Sequence, residues 1–363
     1  MIPIKEKCKK GELLKKTNTL KVFKRYIKKE PLTKKILQEG WLKAQREEDI
    51  YKRARLYAYT GLAPLLYVYI QRLSQIKNRY SQIWFLSREG YILKTLYELY
   101  TKDPKRAKYF LASRRAVSFA CIENRQDIKN ILSQNYNGKL KNILYSRLGI
   151  TIDDESYVSM PRDIEKAMAK TEPFINDIIE KAKEQRENYR SYIFKNYSFK
   201  NHSLEKNILI CDVGYNATIQ YYLSRLLKRE FEGFYICLTN KPLKQGKSKL
   251  SSLYGVLNDY DLQKNAVFQN QLLLEYLLQA PAGQLIGIDK GGKEIFAPSQ
   301  DIPMVAKAMA EGVKDFFKDC KNYTFKTDFP LAAFTALAPI IKKEFRLEIE
   351  DNYCSGEERK KIL

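Results

Sequence analysis

The chain has 363 residues, of which 44% are hydrophobic, so it can bury a substantial core and is not disordered throughout. Six scattered cysteines without a C-x-x-C pair, and a single histidine in a polar stretch (His202), argue against a disulfide scaffold, a zinc site and a histidine-dependent catalytic triad. The formal net charge of +23 at pH 7 leaves either anionic partners or a strongly solvated surface as its explanation.

Residues 1–55 are predicted to form a basic helical N-terminal region. Residues 1–60 contain eighteen Lys and Arg against seven Asp and Glu, so +11 of the net charge lies there. Three explanations stay open: peripheral contact with an anionic membrane, contact with nucleic acid, or a solvated helical surface. Nucleic acid is the least favoured, because no recognised binding motif is visible. No signal peptide or confident membrane span is predicted, so we expect a cytoplasmic protein, at most peripheral at the inner face of the plasma membrane.

Residues 56–298 alternate apolar strands with helices, which is typical of an α/β domain. Strands are predicted at 82–86, 108–112, 207–211, 233–238 and 253–257, followed by a terminal hairpin within 286–296. Helices are predicted at 56–77, 90–99, 217–229 and 269–278. The predicted fold class is therefore α/β, with a Rossmann-like, mostly parallel sheet.

A helical insertion is predicted between the second and third strands. Residues from about 123 to 200 show an almost wholly helical pattern, with a turn at Asn137-Gly138 and no strand signal. Residues 299–363 return to helical periodicity and end in a charged tail. The sheet is thus expected to carry a helical insertion and helical N- and C-terminal extensions.

Three predicted strands are each followed by a compact polar cluster and then by a helix. The clusters are Ser87-Arg88-Glu89-Gly90, Ser113-Arg114-Arg115, and Asp212-Val213-Gly214-Tyr215-Asn216-Ala217-Thr218. In open α/β sheets ligands bind at the carboxyl ends of strands, where helix N-termini favour phosphate. Arginine adds a planar fork that binds phosphate oxygens in pairs. The clusters predict a site for a phosphorylated ligand.

The third cluster is a partial match to a loop that binds phosphoribosyl diphosphate. Backbone N–H groups and the Thr218 hydroxyl would hold a phosphate, while Asp212 would meet a ribose hydroxyl or Mg²⁺. Such loops usually carry two acidic residues, and this chain has only Asp212 there. The alternative is that Gly214 serves only a tight turn.

A second interpretation of the first cluster is phosphatase chemistry. A hydroxyl residue ending a buried strand also marks the second motif of haloacid-dehalogenase-like phosphatases. These enzymes need a nucleophilic aspartate in a D-x-D-x-T motif, and the D-x-D of this chain, Asp259-Tyr260-Asp261, is not followed by threonine. The sequence therefore disfavours that chemistry.

Four ordered segments resemble a bacterial polysaccharide-biosynthesis family whose members are often labelled haloacid-dehalogenase-like hydrolases. The segments are 61–65 (GLAPL), 85–91 (FLSREGY), 113–116 (SRRA) and 212–220 (DVGYNATIQ). Residues 56 to 295 look like the glycan phosphoribosyltransferase half of dual-domain bacterial ribofuranosyltransferases. In that family one domain moves phosphoribose from phosphoribosyl diphosphate onto a glycan, and a separate phosphatase domain removes the phosphate.

The chain departs from the family pattern at four positions. Glu89 stands where the family usually has Asp, Tyr215 where it has Trp, Ala217 where it has Gly, and Ala63 where Gly commonly precedes the proline. Glu89 keeps the charge but reaches further. The methyl group of Ala217 would keep a phosphate further from the backbone than the glycine of the family pattern does.

The resemblance implies a glycosyltransferase of capsule or lipopolysaccharide biosynthesis, with phosphoribosyl diphosphate as donor and a lipid-linked glycan as acceptor. Asp212, Glu89 and Arg88 are the expected catalytic residues, and Asp212 and Glu89 would also hold Mg²⁺. The residues expected to bind the donor are Ser87, Gly90, Ser113, Arg114, Arg115, Gly214, Tyr215, Asn216, Thr218 and Gln220. A separate phosphatase is the expected partner. The alternatives are a phosphohydrolase acting on a phosphosugar, or a degenerate module that binds a glycan or a partner enzyme.

Overall fold

The computed structural model describes residues 18–197, 207–240, 249–254, 256–257, 264–298 and 301–346. It shows the predicted α/β fold, with helices on both faces of a five-stranded parallel sheet. Outside the described residues lie His202, Asp259, Asp261, Cys8, Cys354, the first 17 residues and the charged tail. The described cysteines, Cys121, Cys211, Cys237 and Cys320, are buried free thiols.

The central sheet consists of β1 (Gln82–Leu86), β2 (Ala107–Phe110), β5 (Ile208–Asp212), β6 (Glu232–Tyr235) and β8 (Lys249–Ser252). The spatial order is β2-β1-β5-β6-β8, and all pairings are parallel. Counted in chain order, this is 2-1-3-4-5, one of the two common orders of doubly wound sheets. The chain thus changes direction across the sheet between β1 and β5.

Six short strands form separate pairs. They are β3 (Tyr136–Lys139) with β4 (Tyr157–Met160), β7 (Leu238–Thr239) with β9 (Val256–Leu257), and β10 (Leu285–Ile288) with β11 (Glu294–Phe296). The β10–β11 pair is antiparallel and confirms the predicted terminal hairpin.

The helices before β5 are α1 (18–26), α2 (Pro31–Lys35), α3 (Ile50–Tyr57), α4 (Ala63–Ile76), α5 (Gly90–Thr101), α6 (Arg114–Ala120), α7 (Arg125–Leu132), α8 (Leu140–Leu148), α9 (Ile164–Thr171) and α10 (Ile175–Tyr197). Segments Ile36–Leu42 and Ala58–Leu62 are π-helical. After β5 come α11 (Thr218–Leu227), α12 (Ala266–Gln269), α13 (Gln271–Leu277), α14 (Met304–Asp319) and α15 (Phe329–Glu344).

Side chains of the central strands alternate between two cores, as the period of a strand requires. In β1, Ile83 and Phe85 face the core formed with α4, α5 and the terminal helices. Trp84 and Leu86 face the core formed with α6, α10, α11 and the insertion. The Trp84 ring stacks on Phe110 of β2 at 4.1 Å between centroids. A strand buried on both faces has the continuous apolar run by which β1 was predicted.

The insertion is not wholly helical, contrary to the prediction. Residues 136–139 and 157–160 form an antiparallel pair, and Gly138, expected in a turn, pairs with Val158 inside it. Each of these strands has only four residues, and β3 contains Asn137 and Gly138, which have little β propensity, so neither strand shows the apolar run that predicted the central strands. Helices α7 to α10 account for most of the remaining described residues of the insertion, and the longest of them is α10.

The strand predicted at 253–257 is confirmed only at Val256–Leu257, which form β9 outside the central sheet. The fifth strand of the sheet is Lys249–Ser252, an edge strand whose side chains are exposed or half-buried. Its polar residues give no apolar run, whereas Leu253 and Val256 beside it do. The predicted strand 233–238 is divided into β6 and β7.

The N- and C-terminal helices pack together over one face of the sheet. Arg55 of α3 donates to Asp315 of α14, and Tyr57 donates to Glu344 of α15 at 2.9 Å. Gly312 lets α14 approach the backbone of α3. Both terminal regions therefore contribute to the core that supports β1 and β5. Among the described helices, none is both long and apolar enough to cross a membrane.

The close contact at Gly312 predicts that Gly312→Ala destabilises the protein. An ideal Cβ there would lie 2.0 Å from the Arg55 carbonyl oxygen and 2.8 Å from its carbon. Alanine favours a helix by about 1 kcal/mol over glycine, but overpacking against fixed backbone costs about 1–3 kcal/mol or more. We expect a lower urea midpoint, with a loss of roughly 1–2 kcal/mol. The exposed Lys307→Ala in the same helix should change stability by less than about 0.5 kcal/mol. Equal midpoints for Gly312→Ala and wild type would contradict this packing.

Candidate functional site

A polar cavity of about 360 Å³ lies at the carboxyl ends of β1, β2 and β5. This is the point where the strand order reverses, and open α/β sheets bind ligands there. Each of the three predicted clusters contributes to its wall, through Ser87 and Glu89, through Ser113 and Arg114, and through residues 212–216 together with Thr218. Its volume is within the range of about 300–1,000 Å³ that is usual for small-molecule sites. We call it the first cavity.

The loop after β1 brings Ser87, Arg88 and Glu89 to the first cavity. The Ser87 hydroxyl donates to the Ala112 carbonyl at 2.6 Å and accepts from the Ala112 N–H, so it ties this loop to the end of β2. Gly90 does not line the cavity. An added Cβ would lie 2.5 Å from the Phe85 carbonyl carbon, so Gly90 allows α5 to begin close against β1.

The loop after β2 separates the two adjacent arginines. Ser113 caps α6 by accepting from the Ala116 N–H at 2.9 Å, and its hydroxyl donates to the Leu285 carbonyl. Arg114 is exposed and lines the first cavity. The guanidinium of Arg115 lies outside it, 5.3 Å from the centroid of the Tyr145 ring. Arg114 is therefore a residue of the first cavity, whereas Arg115 packs against Tyr145 outside it.

Two residues in the loop after β5 have a positive backbone φ angle. Gly214 has φ +156°, and a Cβ there would lie 2.3 Å from the Cys237 carbonyl oxygen. Ala217 has φ +46°, a left-handed conformation that costs a non-glycine residue roughly 1–2 kcal/mol. This gives a physical reason for the glycine in the family pattern at that position. The Ser87–Arg88 and Gly214–Tyr215 peptides, in the loops after β1 and β5, are both cis.

Helix α11 begins at Thr218 without a side-chain cap, and its N-terminus faces the first cavity. Helix α5 also begins beside the cavity without one. Uncapped N-termini leave backbone N–H groups and a partial positive charge for an anion. Asn216 is fixed by the Thr239 hydroxyl, which donates to its Oδ1 at 2.5 Å. Gln220, predicted to bind the donor, is instead fully buried between the Phe231 carbonyl and the Tyr235 hydroxyl.

Three acidic residues line the first cavity: Asp212, Glu89 and Glu275 of α13. Burial raises the pKa of Asp212 well above its ordinary value, and the charge of Glu89 raises it further. Burial also raises the pKa of Glu89, with the charge of Glu275 adding to the effect. The guanidinium of Arg114 opposes both shifts. The cavity thus concentrates negative charge that a cation would neutralise.

Tyr215 carries a buried polar atom without a described hydrogen-bond partner. Tyr215 lines the first cavity but is only 8% exposed, and its ring packs edge-on against Phe268 at 5.5 Å between centroids. Within the described part of the chain its hydroxyl has no hydrogen-bond partner. Leaving a buried hydroxyl unsatisfied costs about 1–3 kcal/mol.

The carboxyl groups of Asp212 and Glu89 fit the oxygen chemistry that Mg²⁺ requires. Among the described residues, no three His, Cys, Asp or Glu side chains form a ready metal-binding group. Mg²⁺ is usually bound by one or two carboxylates together with substrate phosphates and water. The donor set therefore fits a cation that arrives with a phosphorylated ligand.

Several cavity residues were not predicted from the sequence. They are Ala112, Asn135, Ile219, Thr239, Phe268, Gln271, Glu275, Gln284 and Leu285. Glu275 had a usable signal, because it is the one charged residue within the apolar stretch 271–278. Gln271 lies one helical turn before it, on the same face of α13.

Comparison of the sequence with models of known protein families finds no match, and comparison with curated proteins finds none either. The assignment of this site therefore depends on its geometry and on its motifs.

The raised pKa of Asp212 predicts that Asp212→Asn stabilises the ligand-free protein increasingly as pH rises. The protonated form is favoured in the folded state, so its contribution to stability is fully present below the unfolded pKa of about 3.9. That contribution is lost as pH rises through the folded pKa. The asparagine variant stays neutral and avoids the loss, so its melting temperature should exceed that of wild type by more at pH 8 than at pH 5.

Thermal unfolding in EDTA at pH 5, 6.5 and 8 measures this difference. Asp154→Asn is the matched control, because hydrogen bonding from Ser156 lowers the pKa of Asp154 to about 2. That substitution should lower the melting temperature or leave it unchanged. A difference between Asp212→Asn and wild type that does not grow with pH would contradict the electrostatic account.

Proposed function

We propose that this protein is a glycosyltransferase of surface polysaccharide biosynthesis, for capsule or lipopolysaccharide. It transfers the phosphoribosyl group, a ribofuranose 5-phosphate, from phosphoribosyl diphosphate to a glycan acceptor. The observation that carries the proposal is the convergence of all three strand-end clusters on one cavity at the switch point of the sheet. The ordered resemblance of those clusters to the glycan phosphoribosyltransferase domain supports the choice of donor.

The cavity offers separate features for the two ends of such a donor. The uncapped N-terminus of α11 and the loop at 213–218 would hold one phosphate group. Arg88 and Arg114 would bind the other, since guanidinium groups pair with phosphate oxygens in a planar fork. Between them, the carboxyl groups of Asp212 and Glu89 would meet ribose hydroxyls or Mg²⁺.

The reaction breaks the bond between C1 of ribose and the diphosphate oxygen, and the bond electrons leave with the diphosphate. The acceptor hydroxyl oxygen forms the new bond to C1, and its proton passes to a carboxylate, Asp212 or Glu89. A raised pKa makes either group a better proton acceptor near neutral pH. Mg²⁺, when bound, would neutralise charge on the leaving diphosphate. Positioning and charge stabilisation supply most of the catalysis of such an oxocarbenium-like reaction.

We also propose a membrane location and a partner enzyme for this protein. The basic segment before residue 60 would draw the protein to the anionic inner face of the plasma membrane, where a lipid-linked acceptor is found. A separate phosphatase would remove the remaining phosphate from the product.

The donor predicts a thermal shift that depends on Arg114. With Mg²⁺ and phosphoribosyl diphosphate at a hundred times its dissociation constant, wild type should gain about 2.7 kcal/mol of stability, a shift of several degrees. Arg114→Ala should lose this shift, because it removes a cavity guanidinium. Arg115→Ala should keep it although its own melting temperature falls, because Arg115 packs on Tyr145 outside the cavity.

Other outcomes would replace the proposal. A shift with a nucleotide sugar and none with phosphoribosyl diphosphate would change the donor. Phosphate release from phosphosugars that is lost in Asp259→Asn would favour the phosphohydrolase. The absence of a thermal shift with every ligand tested would favour the non-catalytic binding module. Full transferase activity in a folded Asp212→Asn variant would overturn the roles assigned to Asp212.

A further inference from the structure

A second cavity of about 480 Å³ lies beside the first. The two share Arg114, Asn135, Asn216 and Thr218 in their walls. The rest of the second cavity comes from α7, the turn after it, α8 and α11. None of the residues predicted from the strand-end clusters lies in its far part, so the proposed donor site does not account for it.

The far part of the second cavity is rich in side chains that both donate and accept hydrogen bonds. Asn130, Ser133, Gln134 and Tyr221 line it, and no acidic side chain among the described residues does. Amides and hydroxyls match the hydroxyl groups of a sugar, which also donate and accept. An anion can only accept hydrogen bonds, so it would offer no donor to the Gln134 amide oxygen, whereas the Asn130 amide oxygen already accepts from Gln126 at 2.8 Å. The half-buried Tyr221 ring adds an apolar surface suited to the C–H face of a sugar ring.

Two arginines in this wall are already engaged by the protein. Arg147 donates to the carbonyls of Ile131, Leu132, Gln134 and Asn135 at 2.8–3.2 Å, so it holds the end of α7 and the turn that follows. Arg225 donates to Asp127 at 3.0 Å, and Asp127 in turn accepts from the Glu123 N–H. These guanidinium groups build the wall that presents Gln134 and Asn135. The remaining arginine, Arg114, lies at the junction with the first cavity.

We propose that the second cavity binds a neutral, hydroxyl-rich sugar ring, the terminal residue of the glycan acceptor. A sugar held there would direct a hydroxyl through the junction at Arg114 and Thr218 toward the donor in the first cavity. The assignment of this sugar as acceptor rests on the proposed function. The binding of a neutral sugar in this cavity does not.

Saturation-transfer NMR with methyl glycosides of galactose, rhamnose and N-acetylglucosamine tests the proposal on the full chain. At least one neutral glycoside should bind wild type. Asn130→Ala combined with Gln134→Ala should weaken that binding about tenfold, since each substitution removes a hydrogen bond. The thermal shift with phosphoribosyl diphosphate should be unchanged.

Gln126→Ala provides a matched control. Gln126 donates a hydrogen bond to Asn130 at 2.8 Å within α7, so Gln126→Ala and Asn130→Ala each remove this bond. Gln126 itself lies outside the second cavity. Its glycoside binding should equal that of wild type. Equal losses in Gln126→Ala and the double variant would overturn the proposal, because the cause would then be the stability of α7.

Three further outcomes are informative. No binding of any neutral glycoside to wild type overturns the proposal, even where phosphoribosyl diphosphate binds. Binding of inorganic diphosphate that is lost in the double variant also overturns it, because the cavity would then be an anion site. Wild type could bind a glycoside, lose that binding in the double variant, and show no thermal shift with phosphoribosyl diphosphate. This result would support the sugar site and would rule out phosphoribosyl diphosphate as the donor.

Discussion

The parallel pairing of β1 with β5 is the constraint on which the structure depends. These strands are neighbours in the sheet, although more than a hundred residues separate them in the chain. The chain leaves β1 toward one edge of the sheet and leaves β5 toward the other, so their following loops diverge. The first cavity lies between those loops. The two hydrophobic cores, one on each face of the sheet, hold β1 and β5 in place and thereby fix the walls of the cavity.

Much of this arrangement was predictable because the central strands are buried on both faces. Continuous apolar runs identified β1 and β5, and polar residues after each run identified the site. The edge strand β8 and the pair β3–β4 were missed or misplaced because short polar strands lack such runs. The left-handed conformation of Ala217 and the separation of Arg114 from Arg115 depend on three-dimensional packing, which local sequence patterns do not encode.

Glu275 shows a further limit of sequence reasoning. It lies far along the chain from Asp212 and Glu89, and α13 brings it to the same cavity only through the packing of that helix beneath the terminal helices. Its charge raises the pKa of both Asp212 and Glu89, beyond the larger effect of their burial. Such repulsion is typical of sites in which function is retained at the expense of stability.

The most direct test of the central claim is a crystal structure with Mn²⁺ and phosphoribosyl diphosphate, using the anomalous signal of manganese to locate the cation. The account predicts a manganese peak beside Asp212 and Glu89, with one phosphate group at the N-terminus of α11 and another at Arg114. Donor density elsewhere on the protein, with no manganese at these carboxyl groups, would contradict it.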